Sequence, residues 1–152
     1  MIVYRLSKRV FATDLSGSGA RIAGGRWNSQ GVALLYTSDS RALCTAEIAV
    51  HTGLGLLPAD YQLITLDIPD SASLSEIDPE KLPKAWRSFP YAPFTRIIGD
   101  QFVKENRHLV LKVPSAVVPG DFNYLVNPAH PLINQVKIVK IEKFEFDERM
   151  FR

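Results

Sequence analysis

Residues 32–53 read VALLYTSDSRALCTAEIAVHTG, a short apolar run joined through polar residues to a helix-like segment. The run Val32–Thr37 predicts a buried strand. One of the three polar residues at 38–40 can cap a helix, which we expect to reach about Thr52 and to stop at Gly53. This stretch therefore predicts one strand and one helix of the fold.

Glu47 lies on the apolar side of this predicted helix. Leu43, Ala46, Glu47 and Val50 follow the i, i+3, i+4, i+7 spacing of one helical face. Because a carboxylate buried alone is strongly destabilising, Glu47 must find a partner or face a solvated cleft. It is either a structural ion pair with Arg41 or another basic group, or a catalytic carboxylate that acts on charge developing in a transition state.

The remaining segments predict a mixture of strands and helices. A second helix, capped by Thr95, is expected through about Asn106. Prolines keep residues 70–94 mostly irregular, and the aromatic residues there, Trp86, Phe89, Tyr91 and Phe94, are expected to act as anchors. Further strands are expected at 2–6, 61–68, 109–113, 116–118 and 137–146.

Two helices and about six strands, in no regular βα alternation, predict an α+β fold. We expect a single domain over residues 1–152, with a small mixed or antiparallel sheet as its core. The length of 152 residues suffices for one domain with a sizeable core. Apolar residues make up 46% and charged residues 22%, which argues against a disordered chain.

Charge and cysteine content exclude several classes of partner. The net charge of +2 gives no general reason to expect nucleic acid. No apolar run approaches the roughly 18 residues of a membrane-spanning helix, so no membrane partner is expected. A single cysteine, Cys44, cannot form an internal disulfide, and no secretory signal is visible. A cytoplasmic location is therefore expected.

Two arginines are candidates for binding an anion. Arg26 follows two glycines in a glycine-rich stretch, 16–31, where a shaped loop is expected, although its spacing is not that of a P-loop. Its guanidinium can bind a phosphate through two donors, and the alternative is a surface arginine beside a core Trp27. Arg5 is a second candidate, on the polar side of a first strand whose apolar side carries Ile2, Tyr4 and Leu6.

Two further residues can contact a ligand. Tyr36 ends the first buried strand, where its ring could stack on a flat heterocycle, or it could be a core tyrosine. Ser115 stands between two short apolar segments and could bind a ligand or a neighbouring backbone group. The three histidines, His51, His108 and His130, lack the spacing of a zinc site, and we predict no metal.

Several of these residues resemble the motifs of the RES-domain family, the toxin halves of bacterial toxin–antitoxin pairs. Arg26 stands in Gly-Gly-Arg-Trp-Asn, Glu47 in Ala-Glu-Ile-Ala-Val-His, and Ser115 in Val-Pro-Ser. The segment Asn123–Pro131, NYLVNPAHP, is similar to the Asn-rich, proline-ended signature of that family. The resemblance extends over essentially the whole chain.

The resemblance implies an ADP-ribosyltransferase-like fold, NAD as the substrate, and an Xre-like helix-turn-helix antitoxin as the partner. By this analogy Arg26, with Arg5, would contact the NAD phosphates, and Tyr36 would stack near the nicotinamide. Ser115 would help to position the ribose, and Glu47 would act at the N-glycosidic bond. The family analogy leaves three acceptors open: water, phosphate and a protein side chain.

The chemistry of NAD cleavage agrees with this division of roles. Breaking the nicotinamide–ribose bond develops positive charge on the ribose, which a preorganised carboxylate stabilises. Nicotinamide is already cationic in NAD, so its departure needs no strong general acid. Two other classes of function remain open on the sequence: a toxin that cleaves RNA with Glu47, Arg26 and His130, and a non-catalytic binding module.

Overall fold

One mixed sheet of seven strands organises the chain. The computed structural model describes residues 1–53 and 55–152. The strands are β1 (Ile2–Lys8), β2 (Leu35–Ser38), β3 (Tyr61–Asp67), β4 (Leu74–Glu76), β5 (Val110–Pro114), β6 (Phe122–Val126) and β7 (Lys137–Phe144). Their order across the sheet is β4-β5-β6-β2-β1-β3-β7, in which β4 and β5 run parallel and the other neighbours antiparallel.

Three α-helices accompany the sheet in the described part of the chain: α1 (Ser18–Ala23), α2 (Arg41–Ala49) and α3 (Pro93–Glu105). The predicted α+β class with a small mixed sheet and a few helices is therefore confirmed. The prediction of only two helices is wrong, because the glycine-rich stretch contains α1. None of the helices in the described ranges is both long and apolar enough to cross a membrane.

The β2–α2 unit forms as predicted, with different bounds. Ser40 is the helix cap, because its hydroxyl accepts a hydrogen bond from the Leu43 N–H at 3.0 Å. The helix ends at Ala49 rather than near Thr52, so the predicted stop at Gly53 is wrong. Val50, which the spacing placed on the apolar face of the helix, is exposed.

The other helix and strand predictions are partly corrected. Helix α3 begins at Pro93, whose fixed φ suits a first helical turn, and the Thr95 hydroxyl donates to the Ala92 carbonyl rather than capping the helix. Residues 116–118 form no strand, because the Ser115 hydroxyl binds the backbone N–H groups of Val117 and Val118 and folds them into a turn. The strand that follows this turn is β6.

Both faces of the sheet are packed. On β1, Val3 is fully buried in a cluster with Ile64 and Leu66, whereas Leu6 packs on the opposite face with Leu63. Val3 and Arg5 lie opposite Leu6, as the alternation predicts, but their side of β1 is packed rather than polar, because Val3 is fully buried. Arg5 lies on a covered face, which explains why its guanidinium is removed from bulk solvent.

Gly99 brings α3 into direct contact with the backbone of Trp27. A Cβ at Gly99 would overlap the Trp27 carbonyl oxygen. We expect Gly99→Ala to lower the free energy of unfolding by about 3 kcal/mol, because backbone overlap is not relieved by a side-chain rotation. Urea denaturation measures the loss.

Gly19→Ala is the matched control, because a Cβ at Gly19 meets no atom within 4 Å. Gly19 lies inside α1, where alanine is preferred to glycine by up to about 1 kcal/mol. We therefore expect equal or slightly higher stability for Gly19→Ala. Equal stabilities of the two variants would contradict the close packing at Gly99.

Candidate functional site

The Glu47 carboxylate is held by two neutral donors. The Ser115 hydroxyl donates to Glu47 Oε1 at 2.8 Å, and the Asn123 amide donates to the same oxygen at 2.6 Å. Glu47 Oε2 has no hydrogen-bond partner among the described residues. One carboxylate oxygen therefore fixes the side chain while the other is left for a ligand.

The structural ion pair considered for Glu47 does not form with Arg41. Arg41 instead pairs with Glu142, with 3.0 Å between its Nη2 and Glu142 Oε2. The charge of Glu47 is balanced at longer range by Arg26, since the two side chains interact electrostatically. Glu47 is thus a carboxylate with polar neighbours at a cavity wall, the arrangement that catalysis requires.

Asn123 is oriented by a buried serine on the neighbouring strand. Ser38 and Asn123 are directly opposite each other in the β2–β6 ladder, and the Ser38 hydroxyl donates to Asn123 Oδ1 at 2.7 Å. Because this oxygen accepts from Ser38, the amide nitrogen must face Glu47. Ser38 is 4% exposed, so water does not compete for this contact.

Two cavities meet at Glu47. We call them the Arg5 cavity, of about 390 Å³, and the Arg26 cavity, of about 790 Å³. The residues that line both of them are Ala20, Tyr36, Glu47, His51 and Asn123. A ligand that extends across this shared wall would place its middle against the Glu47 carboxylate.

Arg26 is half-buried in the wall of its cavity. Its Nη1 donates to the carbonyl oxygens of Trp86 at 2.7 Å and Ser88 at 3.1 Å, and its guanidinium lies 4.8 Å from the Tyr91 ring centroid. Burial lowers the pKa of Arg26, an effect that Tyr91 and Glu47 partly oppose. Its remaining donors have no partner in the described part of the chain and are free to bind an anion.

Tyr36 presents its ring, rather than its hydroxyl, to the cavities. The hydroxyl donates to Asn28 Oδ1 at 2.7 Å and accepts from the Trp27 N–H at 3.1 Å. A Cβ at Gly25 would come within 2.7 Å of this hydroxyl, so the second glycine of the Gly-Gly-Arg-Trp-Asn motif is needed for the contact. Burial raises the pKa of Tyr36, which keeps the phenol neutral.

Arg5 is a second cation, on the wall of a cavity that Glu47 also lines. In the described residues it makes no ion pair, and its Nη1 has one long hydrogen bond, 3.4 Å, to the Phe11 carbonyl. Burial lowers the pKa of Arg5, with the charge of Asp14 opposing. A desolvated guanidinium with few partners at a cavity wall is suited to an anionic or carbonyl-bearing ligand.

Nearly the whole chain matches one known protein family. The model of the RES domain matches residues 2–147. The chain belongs to the RES-domain family. The predicted resemblance to the RES-domain family is thereby confirmed.

This RES domain has similar proteins of known name and known structure. "Prs ADP-ribosylating toxin" of Sphingobium sp. (strain YBL2) is 42% identical over 143 residues, covering 93% of this chain and 89% of that protein. "NAD(+) phosphorylase MbcT" of Mycobacterium tuberculosis (strain ATCC 25618 / H37Rv) is 38% identical over 73 residues, covering 43% and 39%. The M. tuberculosis MbcT–MbcA toxin–antitoxin complex superposes with a TM-score of 0.73 at 22% identity, covering 99% and 86%, which shows a common fold.

Four of the five predicted site residues of this RES domain, Arg5, Arg26, Tyr36 and Glu47, line the two cavities. Ser115 lines neither cavity, and its hydroxyl reaches the site only through its hydrogen bond to Glu47. Asn123 and Ser38 were not predicted to act in the site, although Asn123 begins the Asn-rich signature. In the described ranges no group of three or more His, Cys, Asp or Glu side chains is placed to hold a metal ion.

Cys44 lines the Arg5 cavity of the RES domain as a shielded thiol. Its sulfur donates to the Tyr4 carbonyl at 3.1 Å, and burial raises the pKa of Cys44 to about 11. Relative to the usual 9.0, this lowers the thiolate fraction at pH 8 about a hundredfold. We expect iodoacetamide to alkylate native Cys44 at least about a hundred times more slowly than the urea-unfolded chain, with the rate rising towards pH 11.

A mass-spectrometric time course checks this expectation, and the unfolded chain at the same pH is its control. Only the thiolate reacts, so the native rate should rise with pH over the range where the unfolded rate has already levelled off. Equal rates for the native and unfolded chains at pH 8 would contradict the shielded thiol.

Proposed function

We propose that this RES domain is an NAD-consuming toxin of a toxin–antitoxin system, which cleaves the nicotinamide–ribose bond. The observation that carries the proposal is Glu47, with one oxygen fixed by Ser115 and Asn123 and the other free where two cavities meet. The names of the ADP-ribosylating and NAD-phosphorylase relatives support it.

Glu47 stabilises the charge that develops during cleavage. The carbon–nitrogen bond breaks with its electron pair remaining on nicotinamide, which leaves as a neutral molecule, and the ribose carbon becomes oxocarbenium-like. The free Oε2 of Glu47 faces this positive charge or holds a ribose hydroxyl. The acceptor oxygen then bonds to the same carbon and loses its proton to solvent.

The other site residues bind and orient NAD. Arg26 clamps the diphosphate with the donors that the Trp86 and Ser88 carbonyls leave free. Tyr36 offers its ring to the nicotinamide side, since its hydroxyl is already occupied. Arg5 supplies a second cation on the other side of Glu47, and Ser115 positions the ribose side through Glu47.

The names of the relatives support phosphate and a protein side chain as acceptors, and water is a third possibility. Phosphate would give a phosphorolysis and water a hydrolysis, whereas a protein side chain would make the domain a mono-ADP-ribosyltransferase. Glu47 and Arg26 serve each of these reactions equally well, because the bond that breaks is the same. NAD degradation is the main proposal, and modification of a host protein is the alternative.

We further propose an Xre-like helix-turn-helix antitoxin as the partner, in the cytoplasm. The similar fold comes from a structure of a toxin–antitoxin complex. Consumption of NAD by an unpartnered toxin would harm the cell that makes it, which calls for a protein inhibitor. A gene for an Xre-like protein beside this one, whose product binds the purified domain, supports the pairing.

Product analysis tests the proposed function. Purified protein is incubated with NAD, with and without phosphate, and the products are read by NMR. ADP-ribose identifies hydrolysis, ADP-ribose 1″-phosphate identifies phosphorolysis, and label from NAD on protein in a lysate identifies ADP-ribosyl transfer. A folded protein that leaves NAD unchanged in all three conditions would overturn the proposal, and cleavage of RNA without NAD would favour the nuclease alternative.

A further inference from the structure

Phe89 is an aromatic residue on the wall of the Arg26 cavity. Its side chain is 77% exposed, although the sequence suggests a buried anchor. The neighbouring aromatic residue Trp86, by contrast, is 7% exposed and packs against Trp27. An exposed ring at a cavity wall offers apolar surface to a ligand without the need for any rearrangement.

The backbone around Phe89 is held in place from both sides. Arg26 binds the carbonyl oxygens of Trp86 and Ser88, and the Ser88 hydroxyl donates to the Pro90 carbonyl at 3.2 Å. The Phe89 and Tyr91 rings make an edge-to-face contact with their centroids 5.4 Å apart. Phe89 is therefore exposed on a segment that is itself fixed.

Tyr91 connects this segment to the site cation. Its ring centroid lies 4.8 Å from the Arg26 guanidinium and 5.5 Å from the Arg96 guanidinium. Arg96 also donates to the Gly25 carbonyl at 3.1 Å, which ties the segment to the glycine-rich turn. These contacts hold the segment that carries Phe89 against Arg26.

An exposed ring near a guanidinium that still has unused donors matches one part of a dinucleotide. A base stacks on an aromatic face, and the phosphate that follows it binds an arginine. In NAD the order is nicotinamide, ribose, diphosphate, ribose and adenine. With the glycosidic bond at Glu47 and the diphosphate at Arg26, the chain of NAD continues along the Arg26 cavity to Phe89.

We propose that Phe89 is the platform on which the adenine base of NAD stacks. This inference rests on the proposed function, and it assigns the larger cavity to the adenosine half of the substrate. The Arg5 cavity is then left for the nicotinamide half. Phe89 acts in binding and positioning, because it lies in the same cavity as the diphosphate clamp and takes no part in the bond cleavage.

Kinetics of Phe89 variants test the platform. We expect Phe89→Ala to raise KM for NAD at least about fivefold, since the alanine removes the stacking surface. Phe89→Tyr keeps an aromatic face and should stay within about twofold of the wild type. Ile97→Ala is the matched control, because Ile97 is 61% exposed on α3 and lines neither cavity.

Saturation-transfer NMR with NAD gives an independent readout. In Glu47→Gln, which we expect to bind NAD and to consume it at least about a hundred times more slowly, the adenine protons should receive strong saturation from the protein. In the double variant Glu47→Gln/Phe89→Ala, the adenine signals should fall at least about threefold relative to the nicotinamide signals. This ratio would not move if Phe89 merely supported the fold.

KM for NAD and the adenine-to-nicotinamide signal ratio test the role of Phe89 separately from the proposed NAD cleavage. An unchanged KM in Phe89→Ala, or adenine signals that persist in the double variant, would overturn the platform while NAD consumption stands. If the wild type consumes no NAD, the proposed function fails. The NMR ratio then still decides whether the base binds at Phe89, and missing adenine signals in the parent variant would also overturn the inference.

Discussion

Replacing Glu47 by glutamine should lower the turnover of NAD at least about a hundredfold while the protein stays folded. The amide oxygen of glutamine can take the place of Oε1 and keep the bonds from Ser115 and Asn123. What is lost is the negative charge of the free oxygen, which faces the oxocarbenium-like ribose. Removing one preorganised electrostatic contact commonly costs a factor of about 100 to 1,000 in kcat.

In Glu47→Gln, thermal denaturation measures any loss of stability, and steady-state kinetics measure the loss of turnover. The melting temperature should stay close to the wild-type value, because no buried polar atom loses its partner. Glu142→Gln is the control, since Glu142 pairs with Arg41 and Lys140 and lines neither cavity. Wild-type turnover in Glu47→Gln would remove Glu47 from the mechanism.

Replacing Asn123 by aspartate should lower kcat by about a hundredfold near neutral pH. The change converts a donor at 2.6 Å from Glu47 Oε1 into a second carboxylate. Two carboxylates at this distance repel each other, so the pKa of one of them rises and the pair shares a proton. Glu47 then either loses its charge or rotates away from Asn123.

The pH dependence of kcat distinguishes this effect from a loss of folding. In Asn123→Asp, the activity should rise with pH as the shared proton leaves, over a range where the wild type is flat. Asn134→Asp makes the same chemical change at an exposed residue outside both cavities and should behave as the wild type. Near-normal kcat in Asn123→Asp would show that the amide does not position Glu47.

Local sequence patterns predicted the elements that carry the carboxylate. A helix cap among residues 38–40, which proves to be Ser40, and the place of Glu47 on the apolar face of the helix follow from spacing within a few residues. Glu47 was also conspicuous in the sequence, because a carboxylate on the apolar face of a helix needs a partner or access to solvent. Arg26 was a candidate because the glycines beside it let a ligand approach the backbone, and Ser115 because its hydroxyl stands between two short apolar segments.

Contacts between segments far apart in the chain could not be predicted from such local spacing. The Asn123 amide lies 76 residues from Glu47 along the chain, and its contact depends on β6 lying beside β2. That strand was missed because the bond from Ser115 to the backbone of Val117 and Val118 turns the preceding apolar run. Phe89 was expected to be buried, because residue type alone does not tell a core ring from one that lines a cavity.

Release of nicotinamide from NAD is the measurement to make first, with wild type and Glu47→Gln side by side at equal protein concentration. NAD labelled in the nicotinamide ring allows the released base to be counted directly, whatever the acceptor is. We expect the wild type to release many molecules of nicotinamide per molecule of protein, and Glu47→Gln to do so at least about a hundred times more slowly. Equal release by both proteins, or none by a folded wild type with a lysate present, would contradict cleavage of NAD at Glu47.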